Sequence, residues 1–268
     1  MFSFCKMQSL GNDFLVVDCI ENKLKESLPV LTEFLCDRHF GVGADGVILI
    51  YESKTADLKM RIFNQDGSEA EMCGNGILCF AKYVFEKKLT CKTEFSIETL
   101  AGIKNVKLVI EKGKVISVKV NMGETETSYF KYIIEVEDKQ YQVYPISIGN
   151  PHAVCFVKNI DEFDVKKIGP IFENYKYFPN KTNVEFVEIV DRKNIKVRVW
   201  ERGVGETNSC GTGACASSMV AINEKFTDSE VDVELKGGKL NVKYNKKENI
   251  VELMGPAEIV FEGEIEVV

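Results

Sequence analysis

The chain repeats itself. Lys59–Gly76 (KMRIFNQDGSEAEMCGNG) aligns without a gap on Lys196–Gly213 (KVRVWERGVGETNSCGTG), 137 residues further on. Lys59, Arg61, Glu69, Cys73, Gly74 and Gly76 fall on Lys196, Arg198, Glu206, Cys210, Gly211 and Gly213. A second match agrees with the first: Ser9–Asn12 (SLGN) falls on Ser147–Asn150 (SIGN) at a shift of 138. Two matches at nearly one shift argue for duplicated halves. A length of 268 residues suits one large or two medium domains. The Asn121–Thr127 stretch marks the change of composition. The expected division is an N-terminal domain over 1–118, completed by a C-terminal strand over 257–268, and a C-terminal domain over 119–256.

Strand patterns dominate both halves. Runs rich in Val, Ile and Phe cover Phe14–Asp18, Val47–Tyr51, Leu58–Phe63, Phe95–Glu98, Val106–Ile110 and Val115–Val120 in the first half. Ala153–Val157, Val184–Ile189, Ile195–Trp200, Val231–Leu235 and Ile250–Met254 do so in the second. Three helices are expected: Val30–Asp37, one from Cys73 to about Lys87, and one from Cys210 to about Asn223. Many strands with a few helices give an α+β class.

Composition excludes several functions. Net charge is −7 with no basic stripe, so neither nucleic acid nor an anionic membrane is an expected partner. No apolar run is long enough to span a bilayer. The start, MFSFCKMQSL, lacks the pattern of a signal peptide. Nine cysteines, an odd number inside apolar patterns, fit a reducing cytoplasm. With two histidines, His39 and His152, and no C-x-x-C pair, no metal site is expected.

The chemistry lies in Cys-Gly-x-Gly, which occurs once per half at Cys73–Gly76 and Cys210–Gly213. Each motif precedes a helical pattern, so each sulfur is expected at a helix N-terminus, among unpaired N–H groups. That position favours thiolate and cradles a carboxylate. Two such thiols facing one ligand suit removal of a proton from one side of a carbon and its return on the other. The other seven cysteines read as small buried residues.

Seven blocks in order carry a resemblance: SLGNDF (Ser9–Phe14), GVGADG (Gly41–Gly46), RIFNQDGSEAEMCGNG (Arg61–Gly76), GNPHAV (Gly149–Val154), TNVEF (Thr182–Phe186), ERGVGET (Glu201–Thr207) and SCGTGAC (Ser209–Cys215). Over essentially its whole length the chain resembles diaminopimelate epimerase. The resemblance implies two pseudo-symmetric domains, each a barrel-like mixed sheet around a central helix. It implies interconversion of LL- and meso-diaminopimelate without pyridoxal phosphate or metal, in lysine and peptidoglycan precursor synthesis. It also implies a cytoplasmic homodimer whose partner is a small-molecule substrate.

The same resemblance makes Cys73 and Cys210 the acid/base pair, with Gly74, Asn75, Gly211 and Thr212 as the carboxylate cradle. Asn12, Asn64, Asn150, Asn183 and Arg202 become substrate binders. Glu201 holds the reacting amine or tunes a thiol, and His152 tunes a thiol. Two positions depart from the pattern: Gly46, where some members carry glutamine, and Leu78, where many carry arginine.

Gly41–Gly46 also spells a dinucleotide fingerprint, but a helical pattern precedes it and a strand follows, the reverse of what that motif needs. Two other readings stay open. One is a racemase of this architecture acting on another amino acid, such as histidine or lanthionine. The other is a non-catalytic amino-acid-binding thiol protein.

Overall fold

The computed structural model of the protein describes residues 2–20, 27–124, 126–127 and 130–266. Thr125, in the stretch read above as a boundary, and residues 267–268, in the expected last strand, lie outside the described residues. The chain forms two compact units, Met1–Asn121 with Gly255–Val268, and Met122–Met254.

In the first unit the order is β1 (Phe2–Ser9), β2 (Asn12–Asp18), α1 (Leu28–Cys36), β3 (Gly46–Tyr51), β4 (Leu58–Asn64), β5 (Glu69–Ala70), α2 (Gly74–Glu86), β6 (Glu94–Thr99), β7 (Gly102–Glu111) and β8 (Lys114–Gly123). In the second it is β9 (Glu126–Thr127), β10 (Tyr132–Val136), β11 (Lys139–Ser147), β12 (Pro151–Phe156), α3 (Val165–Glu173), β13 (Asn183–Ile189), β14 (Asn194–Glu201), β15 (Gly205–Thr207), α4 (Gly211–Asn223), β16 (Glu230–Leu235), β17 (Gly238–Asn245) and β18 (Ile250–Gly255). The last strand, β19 (Glu258–Ile265), pairs antiparallel with β1, Phe2 opposite Ile265.

The two sheets have one topology. The first runs β19–β1–β2–β3–β4–β6–β7–β8, parallel only at β2/β3 and β4/β6. The second runs β10–β11–β12–β13–β14–β16–β17–β18, parallel only at β12/β13 and β14/β16. β19 therefore takes in the first unit the place that β10 takes in the second. The mixed-sheet α+β class and the paired halves expected from the sequence are what the structure contains.

Each sheet wraps one helix. Helix α2 packs against β1, β2, β3, β4, β7 and β19, and α4 against β11, β12, β13, β14, β16 and β17. Ile77, Leu78, Phe80 and Val84 of α2 are fully buried, as are Ala214, Cys215, Ala216 and Ala221 of α4. Both helices open on Gly-x-Gly, which costs about 1 kcal/mol per glycine in helix propensity. Each buried side chain of leucine size returns roughly 1.5–3 kcal/mol. Burial therefore decides, and a helix buried all round is the result.

Helix α3 was not among the expected three. Gly169 and Pro170 interrupt its pattern, and its N-cap, Asp164, accepts from Lys167 N. The glycine is required by packing. A Cβ on Gly169 would lie 2.6 Å from Cγ of Trp200 and 2.7 Å from its Cδ2. We expect Gly169→Ala to destabilise the protein by up to about 2 kcal/mol, the overpacking cost of about 1–3 kcal/mol less the helix gain of about 1 kcal/mol. Urea unfolding followed by fluorescence of Trp200, the chain's one tryptophan, checks this. No helix among the described residues is long and apolar enough to cross a membrane.

Candidate functional site

Both motif cysteines are helix N-caps. Cys73 heads α2 with φ −136° and ψ 123°, and Cys210 heads α4 with φ −139° and ψ 115°. Each sulfur accepts from the backbone N–H three residues on, Gly76 at 3.4 Å and Gly213 at 3.3 Å. Gly74 and Asn75 form the first turn of α2, and Gly211 and Thr212 that of α4; all four are buried.

The approach to each cysteine is braced in the same way. Arg61 on β4 grips Glu69 on β5 through two bonds, at 2.7 and 2.8 Å. Arg198 on β14 contacts Glu206 on β15 at 2.7–2.8 Å, and Lys236 joins at 2.8 Å. Burial alone would raise the Glu206 carboxyl, but Lys236 and Arg198 overcome it and hold it below the usual range. These pairs fix the short strands that lead into Cys73 and Cys210.

The surroundings of the two sulfurs differ. Cys73 is half-buried, whereas Cys210 is 8% exposed. Burial pushes the Cys210 thiol well above its ordinary value, and negative charge on Glu201 or on Glu185 pushes the same way. The Thr212 hydroxyl and Gly213 N–H pull it down without prevailing. The sequence suggested a thiol with easy access to thiolate; at Cys210 desolvation outweighs the helix terminus.

Beneath α4 lies a polar cluster. His152 Nδ1 meets Glu185 Oε1 at 2.7 Å, and both side chains are 0% exposed. His152 Nε2 meets Asn150 Oδ1 at 2.9 Å, Asn150 Nδ2 meets Thr212 Oγ1 at 3.4 Å, and Thr212 Oγ1 meets Cys210 Sγ at 3.4 Å. Asn150, His152, Thr212 and Cys210, picked out separately from sequence, thus stand together. Glu185 was missed. It sits in a strand run, Val184–Glu185–Phe186–Val187, buried on both faces, so alternation gave no sign of its partner.

A second group forms around Arg202. Its backbone N–H donates to Asn183 Oδ1 at 3.0 Å, and Asn183 Nδ2 donates to Pro151 O at 2.9 Å. The Arg202 guanidinium is exposed, with Nη1 3.4 Å from Asn180 O. Sequence reasoning also missed Glu173, at the end of α3. It accepts from Trp200 Nε1 at 2.7 Å and from Gly203 N at 3.0 Å, which anchors the turn beyond Arg202. Glu201 accepts from Thr207 Oγ1 at 2.6 Å. In the first unit Asn12 begins β2, opposite Ser9, while Asn64 lies exposed with Nδ2 3.0 Å from Ser68 Oγ.

A family model described as diaminopimelate epimerase matches residues 4–128 and 144–260. The chain belongs to the diaminopimelate epimerase family. It is 49% identical to the diaminopimelate epimerase of Methanococcus maripaludis, over 98% of this chain and 99% of that one. It is 46% identical to that of Acetivibrio thermocellus, over 98% of each. By class it is an isomerase. Among solved structures it shares its fold with a phenazine biosynthesis protein of the PhzF family from Bacillus anthracis, at TM-score 0.77 and 20% identity, covering 99% of both chains. It also resembles a hydroxyproline epimerase from Agrobacterium vitis, at TM-score 0.76 and 15% identity, covering 97% of this chain and 91% of that one.

The two departures of this diaminopimelate epimerase family member have structural counterparts. Leu78 is fully buried in α2, where an arginine would be a charge inside the barrel. A Cβ on Gly46 would lie 2.5 Å from the carbonyl oxygen of Phe63, so here the backbone of β4 takes the space of a side chain.

Proposed function

We propose that this chain interconverts LL- and meso-diaminopimelate by two-base proton transfer at the α-carbon, with the sulfurs of Cys73 and Cys210 as the two acid/base groups. One observation carries the reading: each half places a cysteine in the same N-cap geometry, at the head of a buried helix, behind the same Arg–Glu brace. One thiolate removes the proton from one face while the other thiol delivers a proton to the opposite face. The α-carboxylate takes the N–H groups around Gly74–Asn75 and Gly211–Thr212, whose donors stabilise charge as the proton leaves. The reaction then needs neither pyridoxal phosphate nor metal.

Diaminopimelate bears an amino-acid head at each end, so the unreacting end must be held. The exposed Arg202 guanidinium is suited to its carboxylate through two parallel bonds. Asn12, Asn64, Asn150 and Asn183 supply further donors and acceptors, and Glu201 takes an ammonium. The names borne by relatives at 46–49% identity over nearly the whole chain support this substrate. We place the enzyme as a homodimer in the cytoplasm, serving lysine and peptidoglycan precursor synthesis.

The test is exchange in deuterium oxide. We expect deuterium at the α-carbon of diaminopimelate, with interconversion of the two isomers seen by chiral chromatography. Label entering histidine or lanthionine instead would move the substrate, and label entering none of them would remove the activity.

A further inference from the structure

The two units share a topology but not a floor under the catalytic helix. In the first unit Phe14 pairs with Gly46, and Ile48 follows two residues on. The register-equivalent residues in the second unit are His152, Asn183 and Glu185. Where the first unit puts Ile48 Cδ1 3.4 Å from the Cβ position of Gly76, the second puts Glu185 Oε1 2.8 Å from that of Gly213. A buried ion-forming pair thus replaces two apolar side chains beneath one of two otherwise matched thiols. Such a pair is costly to desolvate and is no gain in stability over an apolar floor.

The contacts around it set a direction. Asn150 offers its carbonyl Oδ1 to His152 Nε2 and its amide Nδ2 to Thr212 Oγ1. Nε2 is then a donor, which requires the Glu185–His152 pair to hold a second proton on the Oε1–Nδ1 contact, whichever atom carries it. Oε2 of Glu185 has no partner of good geometry among the described residues, as a neutral acid tolerates better than a carboxylate. With Nδ2 donating to it, Thr212 has its own hydroxyl proton left for the Cys210 sulfur. Were the pair one proton short, Nε2 would accept, the amide would turn over, and the Thr212 proton would point at Asn150.

We propose that Glu185 is a positioning residue: through His152, Asn150 and Thr212 it fixes the direction of a hydrogen-bond chain that ends by donating to the Cys210 sulfur. This rests on the reading of Cys210 as an acid/base group. A reversible two-thiol reaction needs Cys210 as thiolate in one direction; its burial, the nearby Glu201 and any charge left on Glu185 oppose that form, so a second proton on the Glu185–His152 pair also removes one of the opposing charges. The groups facing the sulfur are Glu201 from β14, the Glu185–His152 pair from β13 and β12, and Thr212 with the Gly213 N–H from α4. The chain adds a donor without adding a charge.

The experiment reads the thiol itself. In a Cys73→Ala background, alkylation of Cys210 by iodoacetamide is followed by mass spectrometry of its peptide between pH 6 and 9. Glu185→Ile, which copies the first unit, is expected to slow alkylation at pH 7.5 about tenfold, one pH unit of thiol shift. Glu185→Gln, whose amide still donates to Nδ1, is expected to stay within about threefold of the parent. If Glu185→Ile fails to fold, the double variant His152→Phe/Glu185→Ile restores the whole apolar floor and is expected to show the same loss. Equal behaviour of the isoleucine and glutamine forms overturns the proposal. So does faster alkylation in both, which would mean an anionic Glu185. Because no turnover is measured, a wild type unable to exchange the α-proton of diaminopimelate sinks the substrate reading and leaves this result to stand or fall alone.

Discussion

Replacing Cys73 or Cys210 by alanine is expected to lower kcat/KM for diaminopimelate at least about a thousandfold while the protein stays folded. A positioned acid or base contributes about 10²–10⁴ in rate, and each variant removes one outright. The structural cost is small. Alanine loses the contact from the sulfur to Gly76 N or Gly213 N, an N-cap interaction worth about 1 kcal/mol against a typical total of 5–15 kcal/mol. Circular dichroism melts of both variants, beside α-deuterium exchange, separate chemistry from folding. Serine is the sharper control: its hydroxyl still caps the helix, but it is too weak an acid to exchange protons at neutral pH. Serine variants should melt close to wild type and be as inactive as alanine. Retention of a tenth of wild-type activity by either alanine form would rule out a two-thiol mechanism.

The repeat made most of this legible. Cys73 and Cys210 stand in register because each half keeps the same string of strand, turn, cap and helix. The same repeat also contained a signal that composition hid. Helix α1 spans Leu28–Cys36 and α3 spans Val165–Glu173, the same 137-residue shift that relates the cysteines. Gly169 and Pro170 argue locally against a helix, and tertiary packing on Trp200 overrides them. Strand β1 was unread for a related reason: Lys6 and Gln8 break its apolar run, yet Lys6 is buried, donating to Gly43 O and paired with Asp13. What the sequence could not give was burial. Nothing in SCGTGAC distinguishes Cys210 from Cys73 in exposure; the upward push on its thiol is a property of the fold around it. Glu185 is the same case, since a carboxyl in a strand reads as solvent-facing until its neighbour is known to be His152.

Gly76 and Gly213 occupy the same helical position, yet alanine should separate them by a large factor. In either helix the substitution gains up to about 1 kcal/mol of propensity. At Gly76 the new Cβ meets Ile62 Cδ1 at 2.9 Å and Ile48 Cδ1 at 3.4 Å, the free ends of flexible apolar side chains. They yield by rotamer adjustment, and Gly76→Ala is expected to leave stability within about 1 kcal/mol of wild type. At Gly213 the Cβ meets Glu185 Oε1 at 2.8 Å, and that oxygen is tied to His152 at 2.7 Å in full burial. To give way, Glu185 must release His152, which leaves a buried polar group unpaired at about 1–3 kcal/mol. Otherwise the first turn of α4 must lift, carrying the Cys210 sulfur and Thr212 with it. A displacement of the order of 1 Å at a reacting group costs about a hundredfold in rate. Gly213→Ala is therefore expected to lose about 1–2 kcal/mol of stability after the helix gain and about a hundredfold in kcat, with Gly76→Ala losing less than tenfold. Urea unfolding and α-deuterium exchange on the two proteins side by side decide it. Equal losses would mean that the floor beneath Cys210 is as compliant as the apolar one beneath Cys73.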